Sequence, residues 1–129
     1  MLLVKTVLKE TKNKGIGLFT EEFISKGKRI WVHELFFVVD FEQESINMFP
    51  DIAKEFINKY AWTKDGKTYH IAIDNERFVN HSDFPNVEED KEDGSMKAIR
   101  DINIGEEILY NYREFDLTSE SDLGFIIKE

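Results

Sequence analysis

The chain of 129 residues contains no cysteine, which excludes disulfides, thiolate zinc sites and cysteine nucleophiles. It also lacks an apolar run of membrane-spanning length. Lys5 and Lys9 interrupt the N-terminal segment MLLVKTVLKE too early for the apolar core of a secretory signal. Internal repeats are absent as well. These absences predict one soluble, intracellular domain, in the cytoplasm or, for a eukaryotic or viral source, in the nucleus.

Positive charge is scarce, because 17 Lys and Arg residues stand against 26 Asp and Glu residues and give a net charge of -9. This balance opposes non-specific attraction to phosphate backbones and favours basic partners through long-range steering. We therefore expect no direct nucleic-acid ligand and no membrane partner. The charge is compatible with a lysine- or arginine-rich protein substrate, although it does not identify a function.

Short strand patterns separated by glycine turns dominate the first half of the chain, at residues 2–8, 16–20 and 29–40. Pro50 stands at a helix start, and the apolar residues behind it recur at helical spacing. This pattern predicts one amphipathic helix within an insert of about residues 42–60.

Turn signals organise the second half of the chain in the same way. Asp65-Gly66 predicts a hairpin that reaches residue 73, and the turn at 103–105 precedes a strand at 107–112. The acidic run at residues 88–94 predicts a solvated loop. Only one helix is clear, so a doubly wound α/β fold is excluded and a mainly β fold is expected.

Two short motifs have open interpretations when each is taken alone. Gly15-Ile16-Gly17 lacks the third glycine and the following helix of a dinucleotide site, and it is equally consistent with a turn between strands. In the segment RFVNHSDFPN, residues 77–86, Asn80 and Ser82 follow a strand-like stretch. Local sequence alone favours their use as turn residues that satisfy nearby backbone groups.

Three segments in this order together resemble the SET domain, the protein-lysine methyltransferase family. They are KGIGLFTEEFISKGKRI at residues 14–30, RFVNHSDFPN at 77–86 and AIRDINIGEEILYNY at 98–112. The segment YAWTKDGKTYHIAI between them resembles the aromatic hairpin of compact bacterial and viral-type members. The resemblance implies a single domain over residues 1–129, with core motifs at 14–112 and a C-terminal tail at 113–129.

The resemblance also implies a mainly β fold of several small sheets, one short helical insert and a knot-like C-terminal crossing. S-adenosylmethionine would bind on one face, and a target lysine would enter a narrow channel from the other. Gly15, Ile16 and Gly17 would allow close approach of the cofactor, since glycine has no Cβ to block it. Asn80 would bind its methionyl head, and His81 would offer mainly backbone groups to adenine. A structural core histidine is the alternative for His81.

Tyr112 resembles the channel tyrosine of the family, whose hydroxyl orients the amine and the methyl group. Tyr60 is a candidate second channel hydroxyl, and its alternative is a core aromatic residue at a helix end. Transfer requires a neutral amine, and an apolar channel lowers the pKa of a lysine. Tyr110 alternates with Tyr112 along the predicted strand, so the two should not share a face unless a bulge intervenes.

The chain departs from many family members at the lysine pocket. It has no cysteine-bound zinc lid, so closure is expected from the helical insert, a partner chain or the tail, where Phe115 and Phe125 are candidates. Glu89 occupies a position at which many members have Phe or Tyr. A carboxylate in the pocket would hold the substrate ammonium protonated, unless the loop shifts register and removes it.

Through this resemblance, the sequence predicts an S-adenosylmethionine-dependent protein-lysine N-methyltransferase. The alternative is a non-catalytic SET-like module that binds a lysine-rich peptide or protein, and chance motif matches on a structural β domain are a third. No metal is expected, because His33, His70 and His81 show no ligand spacing with a carboxylate on one element. The substrate, the number of methyl groups and the oligomeric state, including a homodimer, are left open.

Overall fold

The computed structural model describes residues 1–116. The strands of this part are β1 (Thr6–Glu10), β2 (Ile16–Thr20), β3 (Arg29–Trp31), β4 (Val38–Glu42), β5 (Thr68–Ala72), β6 (Asn80–His81), β7 (Val87–Glu89), β8 (Met96–Ala98) and β9 (Leu109–Tyr110). The helices are α1 (Gln43–Asn47) and α2 (Asp51–Tyr60), with short 3₁₀ helices at Asn75–Phe78 and Tyr112–Glu114. Neither α-helix in the described part of the chain has the length and hydrophobicity of a membrane span.

The described strands form small separate sheets, which confirms the predicted fold class. β1 and β2 form one antiparallel hairpin, and β4 and β5 form another. β3, β8 and β7 form an antiparallel three-stranded sheet in that order. β6 and β9 pair in parallel, although 27 residues separate Asn80 from Glu107 just before β9. The chain therefore returns to β6 from a distance, as the resemblance implied.

Hydrogen bonds from the side chain of Asn86 stabilise this parallel pair. This side chain is buried, its Nδ2 donates to the Glu107 carbonyl at 2.7 Å, and its Oδ1 accepts from the Leu109 amide at 2.8 Å. Strands this short offer few ladder bonds of their own, so buried side-chain bonds to the backbone contribute much of the pairing. The segment behind β9 is thereby held against β6 at the predicted crossing.

Two apolar clusters support the described part of the fold. The main one includes the fully buried residues Leu18, Ile24, Ile30, Ile102 and Ile108. A smaller cluster joins α1 and α2 to β5 through Ile46, Ile57, Ala61 and Ile71. The predicted insert at about 42–60 thus contains two helices, of which the sequence pattern identified only α2. They are separate because a proline disfavours helical backbone in the residue before it, here Phe49 before Pro50.

Several predicted element bounds were wrong in part: the strand predicted at 2–8 is β1 at Thr6–Glu10, and the one predicted at 107–112 is limited to β9. The strand predicted at 29–40 divides into β3 and β4, with a turn between them in which Phe36 adopts a φ of 76°. The acidic loop predicted at 88–94 begins later, because Glu88 and Glu89 pair with β8 in strand β7. Salt bridges from lysines on other segments compensate these carboxylates, so the acidic run does not need to be fully solvated.

Candidate functional site

Asn80 is fully buried at the start of β6, and only the nitrogen of its side-chain amide forms hydrogen bonds. Its Nδ2 donates to the Ile16 carbonyl at 3.2 Å and to Oε2 of Glu107 at 2.9 Å. Its Oδ1 is buried and has no hydrogen-bond partner. A buried amide oxygen without a donor is costly, so the site is suited to a ligand that brings one, such as the ammonium group of an amino acid. This arrangement favours a ligand role over a turn role.

The segment Gly15-Ile16-Gly17 lies directly beside Asn80. Gly15 has a φ of +69°, so it meets the conformational demand of a turn, with no atom near the position of a Cβ. Gly17 lies within β2, and a Cβ there would be 2.4 Å from Oε2 of Glu107. The turn interpretation therefore fits Gly15, whereas Gly17 and the Ile16 carbonyl belong to the surroundings of Asn80.

His81 has a buried ring with defined partners. Its Nδ1 accepts from the Tyr112 amide at 3.1 Å, so its Nε2 carries the proton and donates to Oδ1 of Asp83 at 3.2 Å. Burial lowers the pKa of His81, although Asp83 opposes this shift. The His81 carbonyl accepts from Nζ of Lys14 at 2.7 Å. The ring is thus a neutral structural group that positions Tyr112, and the backbone role toward adenine stays a prediction.

Tyr112 and Tyr60 line one cavity, together with Val79, Tyr110 and Phe115. The buried hydroxyl of Tyr112 donates to the Val79 carbonyl. Burial raises the pKa of Tyr112 well above its usual value, so this hydroxyl keeps its proton. A neutral hydroxyl fixed in this way can accept from and orient an amine, but it cannot act as a base.

Tyr110 faces the same cavity as Tyr112, so the expectation that they occupy different faces was wrong. That expectation assumed an extended strand through both residues. β9 ends at Tyr110, and Tyr112 begins a 3₁₀ helix, so the alternation of a strand no longer applies. The Tyr110 ring packs against Phe115 with centroids 4.4 Å apart.

Contacts of Phe115 and Asp116 hold this part of the chain beside the cavity. The Phe115 ring contacts Trp62, Tyr110 and Tyr112. Asp116 is buried, its amide donates to the Tyr112 carbonyl at 2.9 Å, and its Oδ1 accepts from the Thr63 amide at 3.2 Å. Phe115 therefore lines the cavity, and its role as a lid stays a prediction. The other predicted lid residue, Phe125, lies outside the described residues.

Glu89 lines a neighbouring cavity that shares Tyr110 and Phe115 with the first. Its side chain is 6% exposed and pairs with Nζ of Lys64 at 2.8 Å. Nζ of Lys91 lies 3.7 Å from the same carboxylate. Glu89 is therefore next to the cavity of Tyr112 and is compensated by lysines of this chain.

Sequence reasoning missed Glu107, whose carboxylate bonds Asn80 and fills the space beside Gly17. Its signal was present, because Glu107 belongs to the Gly-Glu-Glu motif that carried the resemblance. The motif does not indicate a role for Glu107, because no neighbouring residue in the sequence suggests that it contacts residues 17 and 80.

Comparisons with known proteins concern the family and the fold. A model of the SET domain matches residues 15–113. Among solved structures, a Plasmodium falciparum protein described as a candidate histone methyltransferase aligns with a TM-score of 0.59 and 21% identity, covering 86% of this chain and 95% of that chain. At that identity the likeness concerns the fold alone. No curated protein matches the chain.

Proposed function

The chain belongs to the SET domain family, and on this premise we propose that it is an S-adenosylmethionine-dependent protein-lysine N-methyltransferase. One observation carries the proposal. Val79 and Asn80 are consecutive residues. The carbonyl of Val79, in the cavity, accepts a hydrogen bond from the Tyr112 hydroxyl. The side-chain oxygen of Asn80, near Gly17, is buried without a hydrogen-bond partner. A methyl donor at Asn80 and an amine beside Tyr112 would therefore be held by consecutive residues, which favours the close approach that transfer requires.

The residues around Asn80 fit the cofactor. Oδ1 of Asn80 would accept from its ammonium group, and the backbone of Ile16 and Gly17 would lie along it. When bound, S-adenosylmethionine supplies the activated methyl group. Glu107 holds the other end of the Asn80 amide, which keeps Oδ1 as the atom presented to the ligand.

The cavity of Tyr60 and Tyr112 would take the substrate lysine. Its aromatic wall, including Trp62, Tyr110 and Phe115, would exclude water and lower the pKa of the lysine ammonium, so that the amine becomes neutral. The protonated hydroxyl of Tyr112 would orient this amine, and its bond to Val79 fixes the direction of the hydroxyl.

We further propose a lysine in a basic protein segment as substrate, because a net charge of -9 steers positive partners toward the protein. Neither nucleic acid nor membrane is part of this proposal. An intracellular location and a homodimer are compatible with it.

A second candidate is a non-catalytic module that binds a lysine-rich peptide. The observation that favours it is Glu89, a nearly buried carboxylate beside Phe115 that already pairs with a lysine ammonium. A peptide lysine that displaced Lys64 from this carboxylate would be retained in its charged form, whereas methyl transfer needs a neutral one.

Mass spectrometry of lysine-rich proteins incubated with purified protein and S-adenosylmethionine tests the proposal. We expect cofactor-dependent addition of methyl groups to lysine, which Tyr112→Phe strongly reduces. Saturable binding of the same proteins with no methyl addition would instead support the binding module. A folded protein that neither binds S-adenosylhomocysteine nor modifies any lysine would exclude the enzyme.

A further inference from the structure

Two histidines and an aspartate meet away from the cavity of Tyr112. Asp40 and His70 are directly opposite each other in the β4–β5 hairpin, with Oδ1 of Asp40 2.7 Å from Nδ1 of His70. His33, from the segment after β3, packs its ring against His70 with centroids 5.7 Å apart. One potential ligand atom from each of the three residues lies within 4.8 Å of the others.

No single element of the sequence carries histidines and a carboxylate at ligand spacing, so no metal was expected. The folded chain brings these groups together from different elements, because the hairpin register supplies Asp40 opposite His70 and a separate segment supplies His33. Two imidazoles and one carboxylate are a ligand set that suits Zn²⁺ and similar divalent transition ions, with a fourth position left for water.

Neighbouring aromatic residues orient both imidazoles. The Trp62 ring lies 6.3 Å from that of His33 and 5.4 Å from that of His70, and Trp31 lies 5.8 Å from His33, between ring centroids. His33 and Asp40 are exposed, so their side chains can rotate to bring the three ligand atoms to tetrahedral spacing.

We propose that His33, Asp40 and His70 form a binding site for a divalent transition ion, best fitted by Zn²⁺. The ion replaces the hydrogen bond between Asp40 and His70 and joins the segment after β3 to the β4–β5 hairpin. His33 also lines the cavity that contains Glu89 and Phe115, so the ion fixes one wall of it. The site does not depend on methyl transfer.

Calorimetric titration of the metal-free protein with Zn²⁺ tests the proposal, and Co²⁺ provides a spectroscopic probe of tetrahedral coordination. We expect about one equivalent to bind and to raise the melting temperature. His33→Asn and Asp40→Asn alter exposed side chains, so both variants should fold, and each should weaken Zn²⁺ binding about tenfold or more because one ligand is lost.

The matched control is Asp83→Asn, which removes the carboxylate partner of the remaining histidine, His81. It should bind Zn²⁺ with parental affinity. The proposal is overturned if the parent shows no saturable binding, or if His33→Asn and Asp40→Asn both bind as the parent does. Melting curves in the presence of a chelator verify that each variant is folded before metal is added.

Discussion

The carboxylate of Glu107 fills the space beside Gly17 that a side chain would need, because a Cβ on residue 17 would lie 2.4 Å from Oε2 of Glu107. The same oxygen accepts from Nδ2 of Asn80 at 2.9 Å. Three segments that are far apart in the sequence therefore form one contact at the proposed cofactor site. The absence of a side chain at residue 17 allows the carboxylate to reach Asn80 and hold its amide in one orientation.

Gly17→Ala should displace the Glu107 carboxylate and break its bond to Asn80. We expect a loss of about 1.5–3 kcal/mol in the free energy of unfolding, typical of a hydrogen bond to a charged group, and weaker S-adenosylhomocysteine binding. Urea unfolding and calorimetry measure the two effects. In a Glu107→Ala background the same substitution should cost less. An equal cost in both backgrounds would locate the clash at Thr11, whose Cγ2 lies 2.8 Å from the same Cβ position.

Asn80→Ala should weaken S-adenosylhomocysteine binding by about 1–3 kcal/mol, because the ligand would lose its buried acceptor. Asn86→Ala is the matched control, since both polar atoms of Asn86 bond the backbone around β9. Its loss should appear mainly in the free energy of unfolding. Parental affinity in folded Asn80→Ala would end the assignment of Asn80 to the cofactor.

The sequence predicted elements whose signals are local. β2 was predicted with its observed bounds, and the glycines at 66 and 105 adopt the positive φ angles that tight turns require. β6 and β9 have two residues each, too few to show a period, so only the resemblance indicated that they lie side by side. The predictions that failed depend on contacts between residues far apart in the sequence. An example is the ion pair of Lys64 with Glu89, which are 25 positions apart.

Tyr112→Phe should lower the turnover number about a hundredfold and leave S-adenosylhomocysteine affinity nearly unchanged, since it removes one orienting hydroxyl beside the amine. Tyr60→Phe removes the hydroxyl of another tyrosine that lines the same cavity and is the matched comparison. We expect a smaller effect there. Steady-state and single-turnover kinetics with an unmethylated, lysine-containing substrate peptide measure both effects. If Tyr112→Phe transfers methyl groups at the parental rate, Tyr112 only packs the core.

Acidification should destabilise the protein through His81. Burial lowers its folded-state pKa, so the stabilisation is complete above the unfolded pKa of about 6.5 and is lost as pH falls through the folded value. Protonation would also place a hydrogen on Nδ1, which could then no longer accept from the Tyr112 amide and would repel it. In His81→Asn, whose side-chain oxygen can accept that amide, the melting temperature should depend less on pH below 6.5. His33→Asn separates the contribution of the other histidine whose pKa is lowered.

Phe115→Ala should open the cavity of Tyr112 to water while leaving the Asn80 site intact. The Phe115 ring contacts Trp62, Tyr110 and Tyr112, and its removal would hydrate the place proposed for the substrate amine. We expect sharply reduced methylation with retained S-adenosylhomocysteine binding. Phe84→Ala is the control, because Phe84 is 88% exposed and its truncation should change neither property.

Two truncations distinguish Phe115 from the residues that follow it. A chain ending at Asp116 keeps the Phe115 contacts and the bonds of Asp116 to Tyr112 and Thr63, whereas a chain ending at Glu114 loses both. If Phe115 is the lid, only the shorter chain should lose methylation while it retains cofactor binding. Loss in both chains would assign closure to residues 117–129, which include Phe125. If cofactor affinity and melting temperature fall together with methylation, the segment packs the core and does not cover the channel. A stable shorter chain that methylates at the parental rate would show that neither Phe115 nor the tail excludes water from the amine.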